Sequence, residues 1–157
     1  MAKAVRYHKQ GGPEVLQLDD VQVGEPGAGQ VRIRHTAIGV NFVDTYQRSG
    51  LYPMQLPAVA GNEAAGVVDA VGPDVKDLKK GDRIAYTGLP GSYCEQRIVP
   101  ADRMVKIPEG ISDDQAASMI EKIFWKIDYY DPELKGWCDP LAPQCRRVMT
   151  VMLASEY

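Results

Sequence analysis

Apolar and polar residues alternate along several short segments in the first three quarters of the chain. The clearest segment is 30–40, in which one alternating set contains Val31, Ile33, His35 and Ala37. A period of two is typical of a β-strand with one buried face. Six other short segments rich in β-branched or aromatic residues also predict strands: 4–8, 15–18, 66–71, 83–86, 93–99 and 104–107. About seven short strands separated by Gly, Pro and Asp indicate an all-β sandwich or barrel.

A change of pattern near Ser112 predicts a helix. Ser112 and Gln115 have the spacing of a capping box, and the acidic residues between them suit the positive end of a helix dipole. Two further strands are predicted at 122–130 and 147–154, with a long loop between them that contains two Asp-Pro pairs. Because two strands alone bury little apolar surface, we expect this pair to pack against another element.

The composition changes near Ile120. Of the 15 glycines, 14 precede residue 121, whereas both tryptophans and two of the three cysteines follow it. We therefore expect a β domain over residues 1–120 and a C-terminal extension of different origin over residues 121–157.

Length and charge exclude several classes of protein. The 157 residues suffice for one domain with an appendage. With 18 basic and 21 acidic residues the net charge is −3, so we expect neither nucleic acid nor a membrane surface as a partner. The start of the chain, MAKAVR, has no hydrophobic signal core, which predicts a cytoplasmic protein. The three cysteines are too few and too irregular for a disulfide framework.

Five ordered motifs carry a resemblance to a known family: 39–53 (GVNFVDTYQRSGLYP), 57–68 (PAVAGNEAAGVV), 75–86 (VKDLKKGDRIAY), 91–96 (GSYCEQ) and 111–117 (ISDDQAA). Together they resemble the NADPH-dependent quinone oxidoreductases, which are the zinc-free, zeta-crystallin-like branch of the medium-chain dehydrogenases. The resemblance covers about residues 1–120. It implies a mainly β fold, a GroES-like, partly open β-barrel with short helices, which in that family precedes a nucleotide-binding Rossmann domain.

The glycine-rich phosphate loop of such a Rossmann domain is not recognisable in this sequence. Its nearest candidate, residues 27–29 (GAG), has Arg32 where a third glycine is required, and it precedes a predicted strand instead of following one. We interpret it as a turn. The resemblance implies NADPH as cofactor, but without a backbone-lined site for the pyrophosphate we expect this chain to bind it weakly or not at all.

The resemblance places Asn41, Tyr46 and Tyr52 in the cleft where nicotinamide and quinone meet. It implies a catalytic, acceptor-positioning role for all three residues, and contact with the cofactor for Asn41 and Tyr46. An amide offers both a donor and an acceptor, and a phenol combines a flat apolar face with one donor. These groups suit hydride transfer to a flat carbonyl compound. A structural interpretation stays open, in which Asn41 caps or turns the chain and the tyrosines only cover the barrel.

Zinc members of the superfamily bind catalytic metal through a Cys and a Gly-His-Glu triplet. The matching positions here are Asn41 and Gly61-Asn62-Glu63. Because amides replace the thiolate and the imidazole, we predict no metal site. We expect the Glu63 carboxylate to be hydrogen-bonded to backbone or paired with an arginine, and His35 to be a satisfied core or edge residue and not a base.

The extension carries a second, weaker resemblance. Segments 127–132 (IDYYDP) and 147–157 are similar to the end of a small bacterial domain of unknown function. The combined interpretation is the front of a truncated quinone-type oxidoreductase joined to a foreign tail, inactive as this chain alone. Two alternatives are a non-catalytic barrel used for association and one half of a split reductase whose nucleotide-binding domain is a separate chain. A barrel without its nucleotide domain would expose an apolar face, so we expect a dimer or another homo-oligomer.

Overall fold

The computed structural model describes residues 1–119, 123–130 and 146–153. Its strands and helices are, in chain order, β1 (Ala2–Tyr7), β2 (Gln17–Val21), β3 (Gln30–Gly39), α1 (Phe42–Ser49), β4 (Ala58–Val59), β5 (Glu63–Val71), β6 (Arg83–Tyr86), β7 (Gln96–Pro100), β8 (Val105–Lys106), α2 (Asp113–Met119), β9 (Ile123–Tyr130) and β10 (Arg146–Leu153). The chain divides into two compact units, Met1–Ile120 and Glu121–Tyr157.

Two antiparallel sheets build the first unit. The larger has the order β7-β3-β5-β6-β8 and the smaller the order β2-β1-β4. Residues 93–95 connect the sheets, because Val5 N donates to Tyr93 O at 2.8 Å and His35 N donates to Glu95 O at 2.9 Å. The predicted mainly β, partly open GroES-like barrel is therefore confirmed. Within the described residues every strand pair is antiparallel, so no Rossmann-type parallel sheet occurs among them.

The buried core follows the alternation predicted for β3. Val31 and Ile33 are fully buried, whereas Arg34 and Thr36, which follow them in the other alternating set, are exposed. The largest cluster of buried side chains among the described residues contains Val31, Ile33, Ala64, Val68, Leu78, Ile84, Tyr86 and Val99. Each fully buried aliphatic side chain contributes about 1.5 to 3 kcal/mol. This cluster therefore stabilises the larger sheet, whose strand β3 leads directly into Asn41 and helix α1.

Some predicted strand boundaries are wrong. The strand predicted at 15–18 begins only at Gln17, because Pro13 starts a 3-10 turn that ends at the buried Val15. The fixed φ of proline suits the first position of a helical turn. The strand predicted at 93–99 begins at Gln96, since the residues before it bond to both sheets and belong regularly to neither. The short β4 was not predicted.

The helix α1 is also absent from the hydrophobic pattern. Asn41 precedes it in extended conformation, and Gly50 ends it with φ of +89°. Asn at the start of a helix and Gly just after its end are the usual punctuation. Those two residues, and not the apolar period, were the available signal.

The helix predicted near Ser112 is confirmed as α2. Its capping box is complete: Ser112 N donates to Gln115 Oε1 at 3.0 Å, and Gln115 N donates to Ser112 Oγ at 3.2 Å. Asp113 anchors the helix to the large sheet by accepting from Arg83 Nε at 2.9 Å and from Thr36 Oγ1 at 2.6 Å. The helix then packs small side chains against the sheet, in a cluster of Ala65, Ala85, Ala116 and Ala117.

The second unit contains the two strands predicted in the extension. β9 and β10 pair antiparallel over their full length, with Tyr130 opposite Arg146 and Ile123 opposite Leu153. The predicted loop with its Asp-Pro pairs, together with Cys138 and Cys145, lies outside the described residues.

Candidate functional site

The two candidate tyrosines meet on the surface of the first unit. Tyr46 lies in α1 and Tyr52 follows the helix, and their rings make an edge-to-face contact with centroids 5.6 Å apart. The backbone holds them in register, because Tyr52 N donates to Tyr46 O at 3.0 Å. Their exposed fractions are 40% and 50%. The phenol faces are therefore available to a flat ligand.

Asn41, the third candidate residue, connects this surface to the buried end of β5. Its Nδ2 donates to Glu63 Oε2 at 3.0 Å. Glu63 is 1% exposed and lies opposite Gly39 in the β3–β5 register. A Cβ on Gly39 would lie 2.7 Å from Glu63 Oε2 and 2.3 Å from Ala117 O. The carboxylate therefore occupies space that exists only because residue 39 has no side chain.

Asp44 gathers three donors on one buried carboxylate. Oδ2 accepts from Tyr93 Oη at 2.8 Å and from Asn41 N at 2.9 Å, and Oδ1 accepts from Asn62 Nδ2 at 2.8 Å. The sequence analysis did not select Asp44. Its signal was the Asn-x-x-Asp spacing at the start of α1, which is that of a capping pair. We refer to Asn41, Asp44, Asn62, Glu63 and Tyr93 as the acidic cluster.

Asn62, the position matched to a zinc-binding histidine, is engaged by helix α1. Its Nδ2 donates to Gln47 Oε1 at 2.8 Å and its Oδ1 accepts from Gln47 Nε2 at 3.3 Å. The side chain therefore joins the helix to the turn before β5. Among the residues that the structure describes, no group of three or more His, Cys, Asp and Glu side chains could hold a metal ion.

Burial sets the protonation of the phenol in the acidic cluster. It raises the pKa of Tyr93, and the hydrogen bond to Asp44 raises that pKa further. Burial likewise raises the pKa of Tyr7, and the charge of Asp44 adds to the effect. Tyr93 therefore stays a hydrogen-bond donor to Asp44 throughout the physiological range, and it supports the site without exchanging a proton.

Large apolar side chains surround the tyrosine pair on the surface. Phe42 and Tyr46 are four residues apart in α1 and so share one face of the helix. Val40 is 81% exposed, Phe42 83% and Leu51 65%. We call Val40, Phe42, Tyr46, Leu51 and Tyr52 the aromatic face. Neither described helix is long and apolar enough to cross a membrane.

A second buried polar cluster lies around His35. Nδ1 of His35 donates to Cys94 O at 2.6 Å, and Nε2 accepts from Tyr86 Oη at 2.8 Å. Burial lowers the pKa of His35 to about 4 and raises that of Tyr86 to about 12. It also raises the pKa of the Cys94 thiol to about 11. The prediction that His35 is a satisfied structural residue is confirmed.

The residues described do not fit the pyrophosphate of a dinucleotide. Residues 27–29 form a turn, as predicted, in which Gln30 N donates to Gly27 O at 3.1 Å and Gly29 has φ of +70°. Both described helices carry acidic residues in the first turn, Asp44 in α1 and Asp113 and Asp114 in α2. These carboxylates place negative charge at the positive end of each helix dipole, where a phosphate would bind.

Comparison with known families decides the fold family. The model described as "Alcohol dehydrogenase GroES-like domain" matches residues 27–109. The chain belongs to this family. A second model, described as "Protein of unknown function (DUF3768)", matches residues 115–156. The resemblance of the extension to a domain of unknown function is thus confirmed as well.

Individual relatives of this GroES-like chain are reductases. It is 49% identical to a quinone oxidoreductase of Pseudomonas aeruginosa over 78% of its own length and 38% of the relative's. It is 47% identical to a 2-haloacrylate reductase of a Burkholderia species over 73% of its length and 36% of the relative's. The crystal structure of Escherichia coli quinone oxidoreductase complexed with NADPH aligns with a TM-score of 0.72 and 44% identity, over 74% of this chain and 36% of that one. The chain therefore spans little more than a third of these relatives.

Proposed function

We propose that this chain is the acceptor-side domain of an NADPH-dependent quinone oxidoreductase and binds a quinone or a related unsaturated carbonyl compound at Asn41, Tyr46 and Tyr52. The observation that carries the proposal is the exposed edge-to-face tyrosine pair beside an asparagine whose amide is hydrogen-bonded to a buried carboxylate. The names of its relatives, quinone oxidoreductase and 2-haloacrylate reductase, support this class of acceptor.

In this proposal Asn41, Tyr46 and Tyr52 position the acceptor for the reaction. In the proposed reaction NADPH supplies a hydride to the acceptor. The phenol faces of Tyr46 and Tyr52 hold a flat acceptor by stacking, which limits its orientations. The Asn41 amide donates to the acceptor oxygen, on which negative charge develops when the hydride arrives. No strong base is required of this domain.

In this proposal the pyrophosphate of NADPH binds outside the residues that the structure describes. Asn41 and Tyr46 would meet only the nicotinamide end of NADPH, and the described residues do not fit its pyrophosphate. We therefore expect the isolated chain to bind NADPH poorly and to turn over negligibly. In the same proposal residues 1–120 form the acceptor-side domain, and residues 121–157 are an extension of separate origin.

Two titrations test the proposal. Tetramethyl-1,4-benzoquinone is a suitable probe, because its fully substituted ring resists addition of the cysteine thiols. In ¹⁵N NMR we expect it to shift the backbone amides of Tyr46 and Tyr52, and the variant Tyr46→Ala/Tyr52→Ala to lose the effect. Val105→Ala, which truncates an apolar side chain 62% exposed in β8, is the matched control. NADPH is titrated separately by fluorescence. Micromolar NADPH affinity, quinone-dependent NADPH oxidation, or quinone shifts away from the tyrosines would contradict the proposal.

The aromatic face favours a second candidate, an association module. Five large apolar side chains between 40% and 83% exposed form an unusual surface for a monomer. Under this alternative a second copy, or a separate nucleotide-binding chain, covers the face. Size-exclusion chromatography with light scattering tests the first version: a dimer that Phe42→Ala weakens supports it, and a clean monomer at high concentration counts against it.

A further inference from the structure

The geometry points to Glu63 as the residue that positions Asn41, so that Asn41 offers a ligand an N–H donor and thereby selects a carbonyl oxygen. The inference rests on the proposed function, in which Asn41 meets the acceptor. It adds a positioning residue, and a direction for the hydrogen bond, that neither the tyrosines nor the family match specifies.

The first step is the orientation of the amide. An asparagine side chain has a donor end and an acceptor end, and its neighbours decide which end faces which way. An ionised carboxylate only accepts, so Glu63 Oε2, 3.0 Å away, requires the Nδ2 end of Asn41 to face it. The reversed amide would place two acceptors against each other in a buried site.

The second step is that the other end of the amide is engaged as well. Asn41 and Asp44 form a capping box at the start of α1, in which the Asn41 side chain faces the backbone N–H of Asp44. The Asp44 carboxylate returns to Asn41 N at 2.9 Å. Asp44 N donates to the backbone O of Asn41 at 3.1 Å, and Asn41 Oδ1 faces this same first turn of the helix. With one Nδ2 hydrogen on Glu63, the second Nδ2 hydrogen is the donor left to a ligand.

The third step is that Glu63 itself has no room to turn away. It is 1% exposed at the first residue of β5, and the space above Gly39 that its carboxylate fills is closed on the far side by the α2 backbone at Ala117. Burying a carboxylate costs free energy that an apolar side chain would not. What the carboxylate provides at this position is a fixed acceptor for Asn41.

The consequence is a preference in ligand chemistry. A carbonyl oxygen accepts from the remaining N–H of Asn41, whereas a hydroxyl that accepts the same N–H receives from the Asn41 amide no acceptor for its own proton. We therefore expect the oxidised quinone to bind more tightly than the corresponding hydroquinone, which favours release of the reduced product.

The experiment follows the Asn41 side-chain amide of the ¹⁵N-labelled full chain during titration with tetramethyl-1,4-benzoquinone. In the wild type the two Nδ2 protons should differ strongly in chemical shift, and quinone should move mainly one of them. We expect quinone affinity to fall roughly 10-fold in Glu63→Ala and about 3-fold in Glu63→Gln, since a bond to a charged acceptor is about twice as strong as a neutral one. Glu109→Gln, which neutralises an exposed carboxylate, is the matched control and should change neither readout.

A double-mutant cycle separates positioning from general stability. If Glu63 acts through Asn41, adding Glu63→Gln to Asn41→Ala should cause no further loss of affinity. Additive losses, or wild-type affinity in Glu63→Gln with an unchanged Asn41 proton pair, would overturn the inference. Glu63→Gln keeps the shape of the side chain, so the cycle stands even where Glu63→Ala does not fold.

Failure of the proposed function gives a different result. In that case quinone would leave the amides of Tyr46 and Tyr52 unmoved in the wild type. The Asn41 proton pair still reports on Glu63 without any ligand: a smaller shift difference in Glu63→Gln than in the wild type supports positioning, and an unchanged difference refutes it.

Discussion

Two buried polar clusters in the same barrel differ in charge and in what lies beside them. The acidic cluster contains two carboxylates, Asp44 and Glu63, which accept hydrogen bonds from amides and a phenol. Its Asn41 lies at the start of the helix that carries Tyr46. In the cluster around His35 the imidazole is uncharged and has partners at both ring nitrogens, and the nearby charge is the cation of Arg97, whose Nη1 donates to Tyr86 Oη at 3.5 Å.

The difference teaches how a candidate site can be told from a structural cluster. Burial of a neutral group with complete hydrogen bonds is nearly free, whereas burial of a carboxylate is costly even when it is bonded. A costly carboxylate pair beside an exposed aromatic surface calls for a functional explanation. A neutral, satisfied histidine between two sheets does not.

The largest expected effect comes from removing an acceptor of the acidic cluster. Asp44→Ala should lower the free energy of unfolding by about 4 kcal/mol, because Tyr93 and Asn62 would each keep a donor without its acceptor at about 1 to 3 kcal/mol apiece. Urea unfolding followed by circular dichroism measures it. Asp77→Ala, at an exposed aspartate, is the control. A loss below 1 kcal/mol would mean that the cluster is not a cooperative unit.

The cluster around His35 should make the free energy of unfolding depend on pH. Burial lowers the pKa of His35 to about 4, so below its ordinary pKa of 6.5 the unfolded chain binds a proton that the folded chain refuses. His35 therefore adds stability that is complete above pH 6.5 and is lost as the pH falls toward 4, by about 3 kcal/mol over that window. Unfolding measured across this range should show the loss in the wild type and a flatter profile in His35→Gln. An unchanged slope in His35→Gln would contradict the assignment.

A smaller loss of stability is expected from a substitution at Gly39, the glycine next to the Glu63 carboxylate. Gly39→Ala places a Cβ 2.3 Å from Ala117 O and 2.7 Å from Glu63 Oε2, which should destabilise the fold by about 2 kcal/mol through overpacking. Gly24→Ala is the matched control, because a Cβ there meets nothing within 4 Å. Equal stability of the two variants, measured by thermal unfolding, would show that the carboxylate does not need the space above Gly39.

Much of the fold could be predicted because its signals are local. The alternation through Val31 and Ile33, the capping box at Ser112 and the turn at 27–29 each depend on a few consecutive residues, and each is confirmed. The helix α1 was not predicted, because its eight residues are a short stretch and its large apolar side chains are exposed and not buried. The start of β5 was not predicted either, because glutamate is a poor indicator of a strand unless its partner on the neighbouring strand is known.

The candidate site could be predicted only in part from the sequence. Asn41, Tyr46 and Tyr52 came from resemblance, and their roles remain predictions. The pairing of Asn41 with Glu63 and of Asp44 with Tyr93 joins residues 22 and 49 positions apart. No spacing rule covers such distances, because they depend on how strands β3 and β5 and residues 93–95 are arranged.

By itself the sequence determined the class of fold, the family of the barrel and the change of character before the C-terminal extension, since these follow from short patterns and composition. Only the tertiary structure decided which polar groups share a buried space: it set Glu63 over a glycine and against Asn41, and His35 between Cys94 and Tyr86. The physical reason is that hydrogen bonds and burial act between atoms a few ångströms apart, whatever their separation along the chain.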